Sequence, residues 1–194
     1  MKLIICLFLF VSFMSYVACE KFLYFAYGSN LLARRILINN PSAVFESTGK
    51  LANHRLDFTK YTTYWNGTVA TIVEDTGEVV WGALWMLDMQ HMQSLDRQEG
   101  VDVGFYFPKT VNITKPDGNT VQARTYEQTS NPSKIMYGER VPYERRPSKT
   151  YLKVILNGAI ECGLPVDYIK KLSKISHNYR KGSEKVRAVL GAGF

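Results

Sequence analysis

The stretch Phe22-Leu23-Tyr24-Phe25-Ala26-Tyr27-Gly28-Ser29-Asn30-Leu31-Leu32 decides how this chain folds. Its apolar opening reads as a strand, and a helix-like pattern over 31–39 begins directly after it. Between them lie Gly28, Ser29 and Asn30, the small polar residues of a tight turn. A strand that turns straight into a helix leaves several backbone N–H groups aligned and unpaired, a cradle for a carboxylate or a phosphate. Ser and Asn are also ordinary helix caps, so the turn alone leaves both readings open.

Working outward, strand-like runs fall at 22–27, 43–50, 67–74, 79–87, 104–114 and 120–128. The turn Lys115-Pro116-Asp117-Gly118-Asn119 joins the last two as a hairpin. Helices are predicted at 31–39, 88–98, 148–162 and 166–175. Runs of strands with few helices between them point to α+β, a small mixed and barrel-like sheet with peripheral helices rather than a doubly wound one. Trp81 and Trp85 share a strand face by period-2 spacing and read as core. A chain of 194 residues, 46% hydrophobic, suits one packed domain.

The helix over 88–98 takes Asp88 as its cap and Gly100 as its stop. Met92 and Leu95 fall on one face and should point at the core. Glu99, seven residues past Met92, lies on nearly the same face. A carboxylate at the end of an apolar stripe is desolvated, and at a helix C-terminus it meets the negative end of the macrodipole. Both effects raise its pKa toward the range useful for proton transfer. A surface Glu at a frayed end is the plainer reading, and Asp96 is the rival carboxylate on that face.

Taken together, Tyr27-Gly28-Ser29-Asn30-Leu31 and Leu95-Asp96-Arg97-Gln98-Glu99-Gly100-Val101 resemble the gamma-glutamylcyclotransferases. The similarity runs on through Asn40-Pro41-Ser42-Ala43, Leu56-Asp57-Phe58, Ala70-Thr71-Ile72, Val80-Trp81-Gly82, Gly158-Ala159 and Gly163-Leu164-Pro165, in the expected order. The glutathione-specific branch resembles Tyr-Gly-Ser-Leu at the turn and the gamma-glutamylamine branch Tyr-Gly-Thr-Leu, whereas this chain has Asn30.

The resemblance implies a small barrel with helices packed around it, no metal and no cofactor. It also implies that the alpha-amine of a gamma-glutamyl group attacks its own side-chain amide, releasing 5-oxoproline and an amino acid. An alpha-amine ordinarily titrates at about pH 8, so a base must take its proton and an acid must return one to the leaving amine. Glu99 is the residue for both steps. The turn formed by Tyr27, Gly28, Ser29, Asn30 and Leu31 would bind the alpha-carboxylate and the reacting carbonyl. Tyr106 and Tyr151, with Tyr27, match substrate-pocket positions, although each reads equally well as packing. Alternatives are a different gamma-glutamyl compound, such as glutathione or a gamma-glutamyl amine, and a binding or effector protein that kept the fold without the reaction. Family members are typically cytosolic, and the resemblance suggests a homodimer.

The N-terminus departs from that pattern. Lys2, the apolar run from Leu3 to Val11 and the small-residue exit Val17-Ala18-Cys19 read as a secretory signal peptide over 1–19, so the domain proper is 20–194 and the protein is expected to be secreted. About 20 apolar residues are usual for a membrane span, and no stable span is expected. Cys6 and Cys19 would leave with the signal, and the remaining Cys162 reads as a buried thiol without a disulfide. Asn66 and Asn112 head glycosylation sequons, with Asn66 in a polar turn the better acceptor.

The formal charge of +7 falls to +6 with the loss of Lys2. The excess lies in the loop and the tail, and Lys170, Lys171, Lys174, Arg180, Lys181, Lys185 and Arg187 make the C-terminal region basic. It reads as a solvated face or as weak adhesion to anionic glycans. No aromatics are interleaved there, so no nucleic-acid partner is expected. His54, His91 and His177 have no metal-ligand spacing. The segment 129–150, with Pro132, Pro142, Pro147 and Arg140, Arg145, Arg146, reads as a long loop and is expected to form a lid over the pocket.

Overall fold

The computed structural model describes residues 20–136, 139–191 and 193–194. The expected signal peptide lies outside the described residues. Five strands close into a barrel: β1 (Lys21–Ala26), β2 (Val44–Thr62), β3 (Gly67–Asp88), β4 (Tyr106–Thr114) and β5 (Thr120–Gln128), in the order β1-β3-β2-β4-β5. Closure comes where β1 and β5 meet in parallel at Tyr24 and Arg124, all other pairings being antiparallel. The α+β, barrel-like class expected from the element pattern is the class observed.

The strands differ in length from the sequence reading. Residues 67–74 and 79–87 form one strand of 22 residues, and β2 runs on for 12 residues past the predicted end at 50. The polar interruption Asp75-Thr76-Gly77 looked like a turn. Instead a register shift between Ala52 and His54 absorbs it, Asn53 and Gly77 take positive φ of 57° and 86°, and the Gly77 N–H donates to Asn53 Oδ1 at 3.1 Å. Residues 51–62 show no clean alternation because tertiary pairing with β3, not periodicity, holds them extended. The β4–β5 hairpin is as predicted, with Gly118 at φ 86° and Asp117 accepting the Asn119 N–H.

Helices α1 (Ala33–Ile36) and α2 (Met92–Glu99) each follow a 3-10 turn, Ser29–Leu31 and Met89–His91. Asp88 precedes the second turn without a side-chain capping bond, so its predicted cap role is not met. Gly100 does stop α2, at φ 66°. Leu95 is fully buried and Met92 half-buried, which anchors α2 against the barrel. Helix α3 (Lys149–Glu161) is capped by Ser148, whose Oγ accepts the Tyr151 N–H at 3.1 Å. Helix α4 (Val166–Ser173) follows. Helix α5 (Glu184–Leu190) was hidden in the basic tail; its buried Val186 and Leu190, four apart, are the apolar edge that holds it.

Two glycines position the site. A Cβ on Gly158 would lie 2.4 Å from the Leu32 backbone nitrogen, so α3 packs straight onto the 28–32 turn. A Cβ on Gly82 would lie 2.4 Å from the Ala26 carbonyl oxygen, which fixes β3 against the end of β1. Cys162 closes the α3 contact. It is half-buried, its thiol donates to the Leu31 carbonyl at 3.2 Å, and burial pushes its pKa up to about 12.

The loop after β5 lies away from the predicted pocket. Arg55 donates to the Pro132 carbonyl at 2.7 Å, Arg145 pairs with Asp57 at 2.8 Å, and Lys134 with Asp75 at 2.7 Å. These contacts tie the loop onto β2 and β3, where with α4 it lines a separate cleft of about 680 Å³. The lid assignment is therefore corrected: polar residues that looked free in sequence already have partners on the barrel.

The two sequon asparagines differ in exposure. Asn112 is exposed on β4, whereas Asn66 is half-buried, its amide donates to the Lys181 carbonyl at 3.0 Å, and Thr68 is fully buried.

Candidate active site

β1 ends at Ala26, and the chain then makes its 3-10 turn. The Leu31 N–H donates to the Gly28 carbonyl at 3.1 Å and the Leu32 N–H to that of Ser29 at 3.2 Å. The Ser29 N–H approaches the Tyr151 hydroxyl, while those of Gly28 and Asn30 have no acceptor among the described residues. The cradle is thus built from residues 28–30. Leu31, expected as a binding residue, is fully buried and lines neither cavity described below; it belongs to the core.

Glu99, at the last position of α2, faces this turn. Its Oε1 accepts from Asn30 Nδ2 at 3.0 Å and from Gln98 Nε2 at 3.3 Å. Gln98 Nε2 also donates to Asn30 Oδ1 at 3.1 Å, and Asn30 Nδ2 reaches the Tyr24 hydroxyl at 3.0 Å. The carboxylate is therefore clamped through one oxygen. Its Oε2 has no hydrogen-bond partner among the described residues. Asn30 is itself buried, so its amide connects the turn to the acid rather than serving as a simple helix cap.

Burial is the dominant influence on Glu99 and holds its pKa above the ordinary glutamate value. The Arg35 charge and the bonds from Gln98 and Asn30 pull the other way, while Asp96 pushes it up again. Asp96 is not a second free acid. It takes Arg124 Nη2 at 2.7 and 2.9 Å and the Tyr126 hydroxyl at 2.5 Å, an ion pair that fastens α2 to β5.

Two cavities meet at Glu99. The smaller, about 30 Å³, is walled by Tyr24, Tyr27, Gly28, Ser29, Asn30, Ala70, Glu99, Tyr106, Tyr126 and Tyr151. The larger, about 330 Å³, shares Ser29, Glu99, Tyr106 and Tyr151 with it and adds Arg35, Tyr64, Trp65, Gln98 and Phe105 among others. The tyrosines around the smaller cavity are buried. Desolvation raises Tyr24, Tyr27 and Tyr106 well above the usual phenol value and Tyr151 to about 12, so all stay neutral.

Their hydroxyls hold backbone. Tyr27 donates to the Tyr126 carbonyl at 2.5 Å, Tyr106 donates to the Ala70 carbonyl at 2.6 Å, and the Tyr151 hydroxyl accepts the Ala70 N–H at 3.1 Å. A Cβ on Gly28 would lie 3.1 Å from that Tyr151 oxygen, a tight contact that the hydroxyl would have to ease by a few tenths of an ångström.

Comparison with known proteins agrees with this geometry. Residues 79–172 match the model of the AIG2-like family. Over 180 residues, 90% of each chain, the protein is 43% identical to the gamma-glutamylcyclotransferase of Bos taurus and 39% identical to that of Homo sapiens. The chain belongs to the gamma-glutamylcyclotransferase family. A solved structure of a gamma-glutamyl cyclotransferase matches it with a TM-score of 0.78 at 37% identity, covering 88% of this chain and 98% of the other.

Membership in the gamma-glutamylcyclotransferase family leaves the local chemistry to be read from the structure. Among the residues that sequence singled out, Tyr27, Gly28, Ser29, Asn30, Glu99, Tyr106 and Tyr151 come together around the two cavities. Tyr24, Tyr126, Arg35, Gln98 and Ala70 were missed. Tyr24 had a signal, since it shares a β1 face with Ala26 at period 2, but Tyr126 and Ala70 reach the cavity only because the barrel closes. Among the described residues no group of three or more His, Cys, Asp or Glu is placed to hold a metal ion. No helix among them is long and apolar enough to cross a membrane.

Proposed function

We propose that this protein is a secreted gamma-glutamylcyclotransferase that converts gamma-glutamyl-amino acids to 5-oxoproline and free amino acids, with Glu99 as the proton carrier. The observation that carries the reading is the half-buried Glu99, its Oε2 free, lining one small cavity with the Gly28–Asn30 backbone.

In the bound substrate the turn's N–H groups hold the alpha-carboxylate, which brings the alpha-amine to Glu99 and the gamma-carbonyl carbon within its reach. Glu99 takes a proton from the ammonium, and the freed lone pair attacks the carbonyl carbon to form the lactam C–N bond. Glu99 returns that proton to the amide nitrogen, the amide C–N bond breaks, and the second proton, shed by the attacking nitrogen as the lactam forms, passes to the departing amine. The two protons lost by the ammonium are the two gained by the departing amine, so the reaction consumes no water. A pKa held above the ordinary carboxylate range suits an acid that must both accept and return a proton near neutrality.

The N-terminal signal reading supports secretion, and exposed Asn112 is the better-placed glycosylation acceptor. The test is to incubate the chain without residues 1–19 with gamma-glutamyl-alanine and measure 5-oxoproline. Turnover that falls about 100-fold or more in Glu99→Gln is expected. Equal activity of wild type and Glu99→Gln, or none with any gamma-glutamyl compound, overturns the reading.

A further inference from the structure

A gamma-glutamyl-amino acid carries two carboxylates. The turn can hold the glutamyl one; the second, on the departing amino acid, lies on the far side of the scissile amide. The larger cavity supplies one cation for it. Arg35, on α1, lines that cavity, and no Asp or Glu among the described residues lies within ion-pair distance of it. The one hydrogen bond of its side chain among the described residues is a long one of 3.4 Å from Nη1 to Gln98 Oε1, and its Nε is buried with no partner. A half-buried guanidinium left without a counterion costs folding free energy, which a bound anion repays.

The placement fits the reaction. Arg35 is close enough to Glu99 and Tyr151 for its charge to be felt at both, and those two residues stand where the cavities join. Beside it the wall is aromatic, with Trp65 stacked edge-on to Tyr151 at 4.7 Å between ring centres and Tyr64 against Trp65 at 5.3 Å. One cation beside an apolar wall is the arrangement that recognises an alpha-carboxylate attached to a hydrocarbon side chain.

We propose that Arg35 binds the alpha-carboxylate of the departing amino acid and so selects gamma-glutamyl-amino acids over gamma-glutamyl amines. The inference rests on the cyclotransferase reading and names the part of the substrate that the larger cavity holds. Asn30 and the turn select the glutamyl half; Arg35 selects what is attached to it.

The test compares gamma-glutamyl-alanine with gamma-glutamyl-ethylamide, which differ only by that carboxylate. Arg35→Gln is expected to lose roughly 10- to 100-fold in kcat/KM on the alanine compound, mostly in KM, and at most about 2-fold on the ethylamide. Arg35→Lys should recover part of the loss. Calorimetric binding of both compounds to Glu99→Gln separates recognition from chemistry: tighter binding of gamma-glutamyl-alanine that disappears in Glu99→Gln/Arg35→Gln supports the assignment even if turnover were absent. Equal losses on the two substrates, or equal binding of both by the Arg35-intact protein, would overturn it while leaving Glu99 catalysis standing.

Discussion

The cleft beneath the loop that follows β5 is about 680 Å³ and the larger Glu99 cavity about 330 Å³, yet the two treat their carboxylates differently. In the cleft, Asp57 meets both Arg55 and Arg145, and Lys171 meets Glu78. Those pairs tie loop and helix to the barrel. Around Glu99 the acid and the nearby Arg35 stay apart, each held by amides rather than by a counterion. Size does not mark a site here; a desolvated carboxylate facing a cavity without a counterion does.

That contrast can be broken at Glu99 first. Glu99→Gln should reduce kcat on gamma-glutamyl-alanine by about 100-fold to 10,000-fold, while Arg145→Met in the cleft should leave kcat/KM within about 2-fold; steady-state 5-oxoproline assays check both. A large loss in Arg145→Met would make the cleft part of the site.

Asn30→Ala comes next, at about 10-fold in kcat/KM, because the clamp on Glu99 Oε1 is lost. It also removes a bond that lowers the Glu99 pKa, so the acidic limb of the kcat/KM profile should move to higher pH. A limb that stays put would dissociate Glu99 from the profile.

A smaller effect sharpens the structural side. Arg145→Met should lower Tm by about 2–4 °C, because it removes one partner of half-buried Asp57. Calorimetry of the pair of variants, Arg145→Met and Asp57→Asn, would show non-additive losses if they act through one contact.

The smallest effect is a pH dependence of stability. Below the unfolded glutamate pKa both states hold the Glu99 proton and no penalty exists. As pH rises the unfolded state releases it first, since the folded pKa is raised, and stability is lost through the interval between the two values. Glu99→Gln should therefore match wild type in Tm at pH 4 and exceed it at pH 7. The reverse order would mean that the acid is not desolvated.

Much of this was legible in the chain. Residues 22–32 read as strand, turn and helix start because small polar residues between apolar runs permit little else, and Leu95, Glu99 and Gly100 marked the end of α2 through periodicity and a left-handed stop. Where polar and apolar residues mixed, as at 51–62 and 75–78, the pattern failed because a long ribbon pairing overrode it. The loop's role was misread for a related reason: its arginines have partners far away in sequence, at Asp57 and beyond.

The sequence by itself determined that a strand ends in a glycine-serine-asparagine turn and that a helix ends in a glutamate, since both depend on neighbours a few residues apart. Only the tertiary structure decided that these two ends meet. Barrel closure brings Tyr24 beside Tyr126, the close passage of α3 at Gly158 delivers Tyr151, and the packing of α2 sets Glu99 on Asn30. Burial, which raises the Glu99 pKa, belongs to that assembly and to no local stretch of chain.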